Sequence, residues 1–232
     1  MTAIQNFLDV KTLFLTWQSN QNRQKRYFVG SIVHNENNEY CFSYNINSND
    51  YKEAREEGYT GYPAFKLGAK VFTNNVIETF MKRLPPRSRK DFKKYLSHHY
   101  LSEDFNCSDF VLISHTGVQL PSDGFDLMPD LSEASIPFEY LMEVAGTRHN
   151  ITFGDFDEIE LDSNASLVPE PANTYDCNAI AIHCNSQRVG YVNRLLCTSI
   201  HRLIETRSID AVIAKKSGTS ERPLLYLMLK VR

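Results

Sequence analysis

The 232-residue sequence contains no apolar run near the twenty or so residues that a membrane-spanning helix requires. Its opening, MTAIQNFLDV, lacks the basic region and long apolar core of a secretion signal. No membrane association and a cytoplasmic location are therefore expected. No CxxC pair occurs among Cys41, Cys107, Cys177, Cys184 and Cys197, and the set is odd in number, which speaks against a zinc ribbon or a disulfide framework. Reduced, structural cysteines are expected instead. Adjacent His98 and His99 would diverge by about 100° on a helix, so neither a metal site nor any cofactor is expected. Excess basic charge is missing too. A formal net charge of −3 excludes a protein that coats nucleic acid by neutralising many phosphates, and limits any nucleic-acid contact to a small, local one.

What is present describes a folded α+β protein: 42% hydrophobic and 23% charged residues suffice for one large domain or two small ones. There are no internal repeats or low-complexity tracts. Turn-forming residues crowd LPSDGFDLMPDLSEASIP (120–137), which places a boundary near residue 137 and predicts domains 1–137 and 138–232.

In the first part, TLFLTWQ and RYFVGSIVH read as strands joined across the polar segment SNQNRQK, and EYCFSYN as a third. YKEAREEG reads as a helix stopped by Gly58. VIETFMKRL places Val76, Phe80 and Leu84 on one helical face, with its end at Pro85 and Pro86. Ser88 and Asp91 have capping-box spacing before RKDFKKYLSHHYL, whose lysines form a solvated face, and Ser108 caps a shorter helix, DFVLISHTG.

In the second part, FEYLMEVAG, DEIEL, SLVPE, NAIAIHC, QRVGYV, IDAVIAKK and RPLLYLMLKV read as strands. The helix NRLLCTSIHRLIE, capped by Asn193, turns Leu196, Ile200, Leu203 and Ile204 inward. Many short strands with one helix predict a small barrel.

Three blocks of this second part, VAGTRH (144–149), EPANTYDCNAIAI (170–182) and RVGYVNR (188–194), occur in the order and at the distances that mark the HIRAN domain, which the segment resembles. That resemblance implies an OB- or SH3-like barrel and, as in the helicase-linked member of the family, recognition of the 3′-hydroxyl end of single-stranded DNA. It assigns Asp176 to the terminal 3′-OH, Tyr175 to stacking on the last base, Asn173 to hydrogen bonding with the terminal nucleotide, and Arg148 to a phosphate. His149 stands where that member has Tyr, Tyr191 where it has His, and Arg194 where it has Lys, so the pocket keeps its chemistry with ring types exchanged. A local reading stands beside each role: Asp176 as a turn cap, Tyr175 packed over the barrel mouth, Arg148 paired with Glu170 or Asp176, Asn178 structural.

The first part, through FVGSIV, CFSYN, GYTGYPAF, FMKRLPPRSRKDFKKYL and SDFVLISHTG, is similar to the N-terminal region of HipA kinases. No Gly-rich phosphate loop, HRD-like segment or DFG follows, so phosphoryl transfer is not expected. The resemblance implies a protein-docking domain, with GYTGYPAF as a contact surface. Bacterial or phage origin fits the combination.

The sequence thus predicts a non-enzymatic protein that binds a single-stranded DNA 3′ end and docks a protein partner. A toxin-antitoxin-like regulator without DNA binding is the second reading, and a hydrolase ranks last. Cys177 or Cys184 near His183 lacks an orienting acid, and the cluster Asp155, Asp157, Glu158 and Glu160 reads as a solvated strand face.

Overall fold

The computed structural model describes residues 3–21, 25–120, 123–219 and 221–232. The chain divides into two compact units, one of Asp9–Glu133 and one of Ala134–Arg232 joined by the chain up to Leu8.

The first unit is built on a four-stranded antiparallel sheet in the order β3-β2-β1-β4, from β1 (Thr12–Gln18), β2 (Arg26–His34), β3 (Tyr40–Tyr44) and β4 (Phe125–Pro129). Alternation decides which face is buried: Leu13 and Leu15 of β1 and Ile32 of β2 are at most 1% exposed. Residues 22–24 of the polar segment between β1 and β2 lie outside the described residues. The turn-rich stretch after residue 120 is more structured than its composition suggests. Its Phe125, Leu127 and Met128 are buried, and they let β4 pair with β1 over five positions.

Among the described residues this unit also holds the α-helices α1 (Asn49–Glu56), α2 (Val76–Met81), α3 (Phe92–His98) and α4 (Asp109–Thr116). The Ser48 hydroxyl caps α1 by accepting from Tyr51 N–H, and Gly58 follows its end in a left-handed conformation, φ 93°. Ser108 caps α4 in the same way, and Gly117 closes it. Two expectations fail locally. α2 ends at Met81, because turn bonds from Arg83 to Phe80 and from Leu84 to Met81 replace the helical ladder before the prolines. The Ser88–Asp91 capping box does not form, since the Asp91 carboxylate accepts two hydrogen bonds of 2.7 Å from Arg89. An aromatic core, including Phe42 stacked on Phe65 at 4.6 Å, fills the unit.

The second unit contains two three-stranded antiparallel sheets: β5 (Phe138–Glu143), β10 (Arg222–Val231) and β9 (Ile209–Thr219) in one, and β6 (Ala165–Pro169), β7 (Ile180–Cys184) and β8 (Gln187–Tyr191) in the other. They meet at two isolated bridges, Asn164 with Val212 and Ala145 with Tyr191. The expected barrel is therefore not closed by continuous ladders; the unit is β-rich with two small sheets and helices α5 (Thr147–Asn150), α6 (Phe153–Glu158) and α7 (Arg194–Thr206).

α6 corrects the expected strand at DEIEL and moves Asp155, Asp157 and Glu158 onto a helix. The cause is a capping box: Asp155 N–H donates to the Thr152 hydroxyl at 3.2 Å, and Thr152 N–H donates to the Asp155 carboxylate at 2.9 Å. Arg148 and His149, which follow directly on the strand read at FEYLMEVAG, sit on the short helix α5. α7 follows its sequence pattern. Leu196, Ile200 and Leu203 are buried, as are Ile180, Ile182, Val189 and Leu227 of the strands, while Ile204 is only half-buried. No helix among the described residues is long and apolar enough to cross a membrane.

Candidate nucleic-acid interface

The residues between β6 and β7, 170–179, form an ordered loop whose polar side chains satisfy its own backbone. Glu170 N–H donates to Ala179 C=O at 2.9 Å and closes the base. Inside it, Tyr175 and Asp176 N–H donate to Asn173 Oδ1 at 2.9 and 3.2 Å, and Asn178 N–H donates to Asp176 Oδ1 at 2.8 Å. These are Asx turns, in which a side-chain oxygen replaces a backbone acceptor. α7 supports the far side through His201 Nε2, 3.0 Å from Asn178 C=O.

This geometry sorts the predicted residues. Asn173 is engaged on both sides of its amide, since Nδ2 also donates to Glu170 Oε2 at 2.8 Å, so it shapes the loop. Asp176 uses one carboxylate oxygen on Asn178, and among the described residues that carboxylate accepts no other hydrogen bond, while its backbone C=O accepts from Ala179 N–H at 2.9 Å. Tyr175 is 98% exposed and packs over nothing.

β8 brings the other residues to this loop. The Tyr191 hydroxyl donates to Glu170 Oε2 at 3.2 Å, and burial raises its pKa above the ordinary tyrosine value. Arg188 sits over the Tyr191 ring, 5.2 Å from its centroid, with one guanidinium nitrogen 3.5 Å from Glu170 Oε1. The Asn173 amide, then Tyr191 and Arg188, hold the Glu170 carboxyl below its usual range.

α5 joins the same cluster. Ala145 and Tyr191 exchange two backbone hydrogen bonds of 2.8 Å, and Arg188 Nε donates to Asn150 Oδ1 at 2.8 Å. Such close approach needs Gly190, where a Cβ would lie 2.5 Å from Ala145 O. Arg148 and His149 are both exposed on α5, and Arg148 Nε donates to His149 Nε2 at 3.0 Å. Glu170 is thus paired with Arg188 and not with Arg148. Arg194, exposed, is the first residue of α7, just after the Asn193 cap that accepts from Leu195 N–H.

The predicted residues accordingly lie on three segments, α5, the 170–179 loop and the β8–α7 junction, that hydrogen bonds tie together. Three further members, Glu170, Arg188 and Asn150, were given no part in the site by sequence reasoning, which named Glu170 only as a local partner for Arg148. Each lies at the edge of a quoted block or one residue beyond it, and their only signal was adjacency to VAGTRH, PANTYD and VGY. Cys184 is buried with its thiol pKa pushed up by desolvation, and Cys197 is pushed up to about 11 by the same cause. Among the described residues no group of three or more His, Cys, Asp or Glu is placed to hold a metal ion.

Residues 138–231 match the family model of the HIRAN domain. Among solved structures, the chain is similar to the HIRAN domain of human HLTF, at 20% identity and a TM-score of 0.33, over 40% of this chain and 74% of that one. It is also similar to a Lactobacillus plantarum protein, at 18% identity and a TM-score of 0.33, over 40% of this chain and 92% of that one. No curated protein matches. The resemblance of the first unit to HipA kinases gains no support from these comparisons.

Proposed function

We propose that this is a non-enzymatic DNA-binding protein whose second unit recognises the 3′ end of single-stranded DNA, while the first unit docks a protein partner. The HIRAN match supports DNA binding. The observation that carries the finer reading is Tyr175, an aromatic side chain left 98% exposed on a loop that internal hydrogen bonds hold in shape.

A base stacked on such a ring contributes roughly 1–3 kcal/mol without regard to its identity. Beside it, Asp176 has acceptor capacity to spare. A terminal 3′-OH can donate to that carboxylate, an internal phosphodiester has no proton to give, and a 3′-phosphate adds charge repulsion. Arg148 and Arg194 supply positive charge on the adjoining segments. The net charge of −3 fits a contact limited to one strand end. Buried Cys184 and Cys197, with raised thiol pKa values, are poor nucleophiles, which favours the non-enzymatic reading.

The test is fluorescence anisotropy with one labelled single-stranded oligonucleotide ending in 3′-OH or 3′-phosphate. Tighter binding to the hydroxyl end is expected; equal affinity removes end sensing. The low basic charge also favours the toxin-antitoxin-like regulator, which a stable protein complex without salt-dependent DNA binding would select.

A further inference from the structure

The geometry points to Arg188 as the residue that grips a backbone phosphate of the bound strand, with Glu170 positioning it. This assignment rests on the DNA-binding reading above.

Three contacts fix the guanidinium. Its Nε–H donates to Asn150 Oδ1 at 2.8 Å, which sets the plane of the fork from α5. Its central carbon lies over the Tyr191 ring, 5.2 Å from the centroid, a cation–π contact. Glu170 attracts it from the loop side across 3.5 Å, beyond the usual hydrogen-bond range of about 2.7–3.2 Å. Asn150 and Glu170 engage its Nε and one terminal nitrogen, and the side chain is still 46% exposed. An oriented fork with an open outer edge is suited to two parallel N–H···O bonds to phosphate oxygens.

Arg148 offers less. Its hydrogen bond goes to His149, the next residue in the chain and itself exposed, so no second element holds the fork. Ordering it on a ligand costs side-chain entropy that Arg188 has already lost. Arg188 also lies where α5, the 170–179 loop and β8 meet, within the same hydrogen-bonded cluster as the Tyr175–Asp176 loop.

A strut that merely joined α5 to the loop would show the same contacts, so the experiment must separate holding from binding. The full chain and its Arg188→Ala, Arg188→Lys and Arg148→Ala variants are titrated with one single-stranded oligonucleotide, 3′-OH or 3′-phosphate, over a range of salt. Melting temperatures are read in parallel.

Arg188→Ala is expected to weaken binding to both ends by the same factor, roughly tenfold or more. Its plot of log affinity against log salt should lose about 0.7 of slope, one phosphate contact on a single strand. The preference between ends persists. Arg188→Lys keeps the slope but regains only part of the affinity, because a point charge lacks the fork, and it carries the test if the alanine variant melts early. Arg148→Ala loses less.

Arg188 variants that bind like the wild type with unchanged slope overturn the assignment. Equal wild-type affinity for both ends, still dependent on Arg188, removes the end-sensing reading and leaves the phosphate contact standing. Wild-type protein without salt-dependent binding overturns both.

Discussion

Asn173 and Tyr191 share one acceptor: Asn173 Nδ2 donates to Glu170 Oε2 at 2.8 Å and the Tyr191 hydroxyl donates to the same oxygen at 3.2 Å. One carboxylate therefore fixes both the loop that carries Tyr175 and the strand that carries Arg188. Glu170→Ala is expected to cost about 1 kcal/mol of stability, the net worth of such bonds at a partly exposed site, and to weaken DNA binding by loosening the loop. The pH dependence follows from the direction of its pKa. The folded value lies below the ordinary 4.5, so the contribution is present above about pH 4.5 and disappears as pH falls through the lower folded value. Urea titrations of the wild type and Glu170→Ala should differ at pH 7 and converge in acid; a constant difference would show that the charge is not what matters.

Tyr175 separates binding from folding more cleanly. Its side chain is 98% exposed, while the hydrogen bond from its backbone N–H to Asn173 Oδ1 does not depend on the ring. Tyr175→Ala should leave the melting temperature within about a degree, since an exposed substitution away from special features lies within roughly ±0.5 kcal/mol. The same change should weaken binding of the oligonucleotide by about 1–3 kcal/mol, or roughly 5- to 150-fold. A variant that binds as the wild type does would remove the stacking role.

How far the sequence disclosed all this differs by element. β1, β2 and β10 lie where alternation put them, because one face of each is buried and the period of two registers that fact directly. α7 was equally legible from Asn193 and the 3.6-residue recurrence of Leu196, Ile200 and Leu203. β4 was hidden, since its Asp126 and Pro129 look like turn residues until pairing with β1 is seen. DEIEL misled for the opposite reason. Its alternation imitated a strand, and the capping box that decides otherwise begins upstream at Thr152. In the site, the blocks led to the right segments, but Glu170 and Arg188 act across 18 residues of sequence, a relation that no local pattern contains.

Gly190 sets the distance between β8 and the start of α5. Its φ is 152°, and an added Cβ would lie 2.5 Å from both Ala145 O and Val144 Cγ1, one of them backbone that cannot turn aside. Gly190→Ala should therefore break the Ala145–Tyr191 bridge and destabilise the protein by about 2 kcal/mol or more. Amide hydrogen exchange provides the check: faster exchange at Ala145 and Tyr191 is expected, and unchanged protection there would mean that the backbones separate at little cost.

His115, on α4 of the first unit, is 5% exposed, and burial, with a smaller contribution from His99, lowers its pKa from 6.5 to about 4. Above pH 6.5 the imidazole is neutral in both folded and unfolded chains, so it adds no pH dependence. As pH falls from 6.5 towards 4, the unfolded chain takes up a proton that the folded chain refuses. Stability should then decline by as much as about 1.4 kcal/mol per pH unit over that window, and level off with respect to this group below it. His115→Gln removes the titration, so its stability curve should be flatter between pH 6.5 and 4 even if it lies lower throughout. Urea unfolding at half-unit pH steps, followed through near-ultraviolet circular dichroism, measures both slopes; parallel curves for wild type and variant would mean that the buried ring takes up its proton in the folded chain as readily as in the unfolded one.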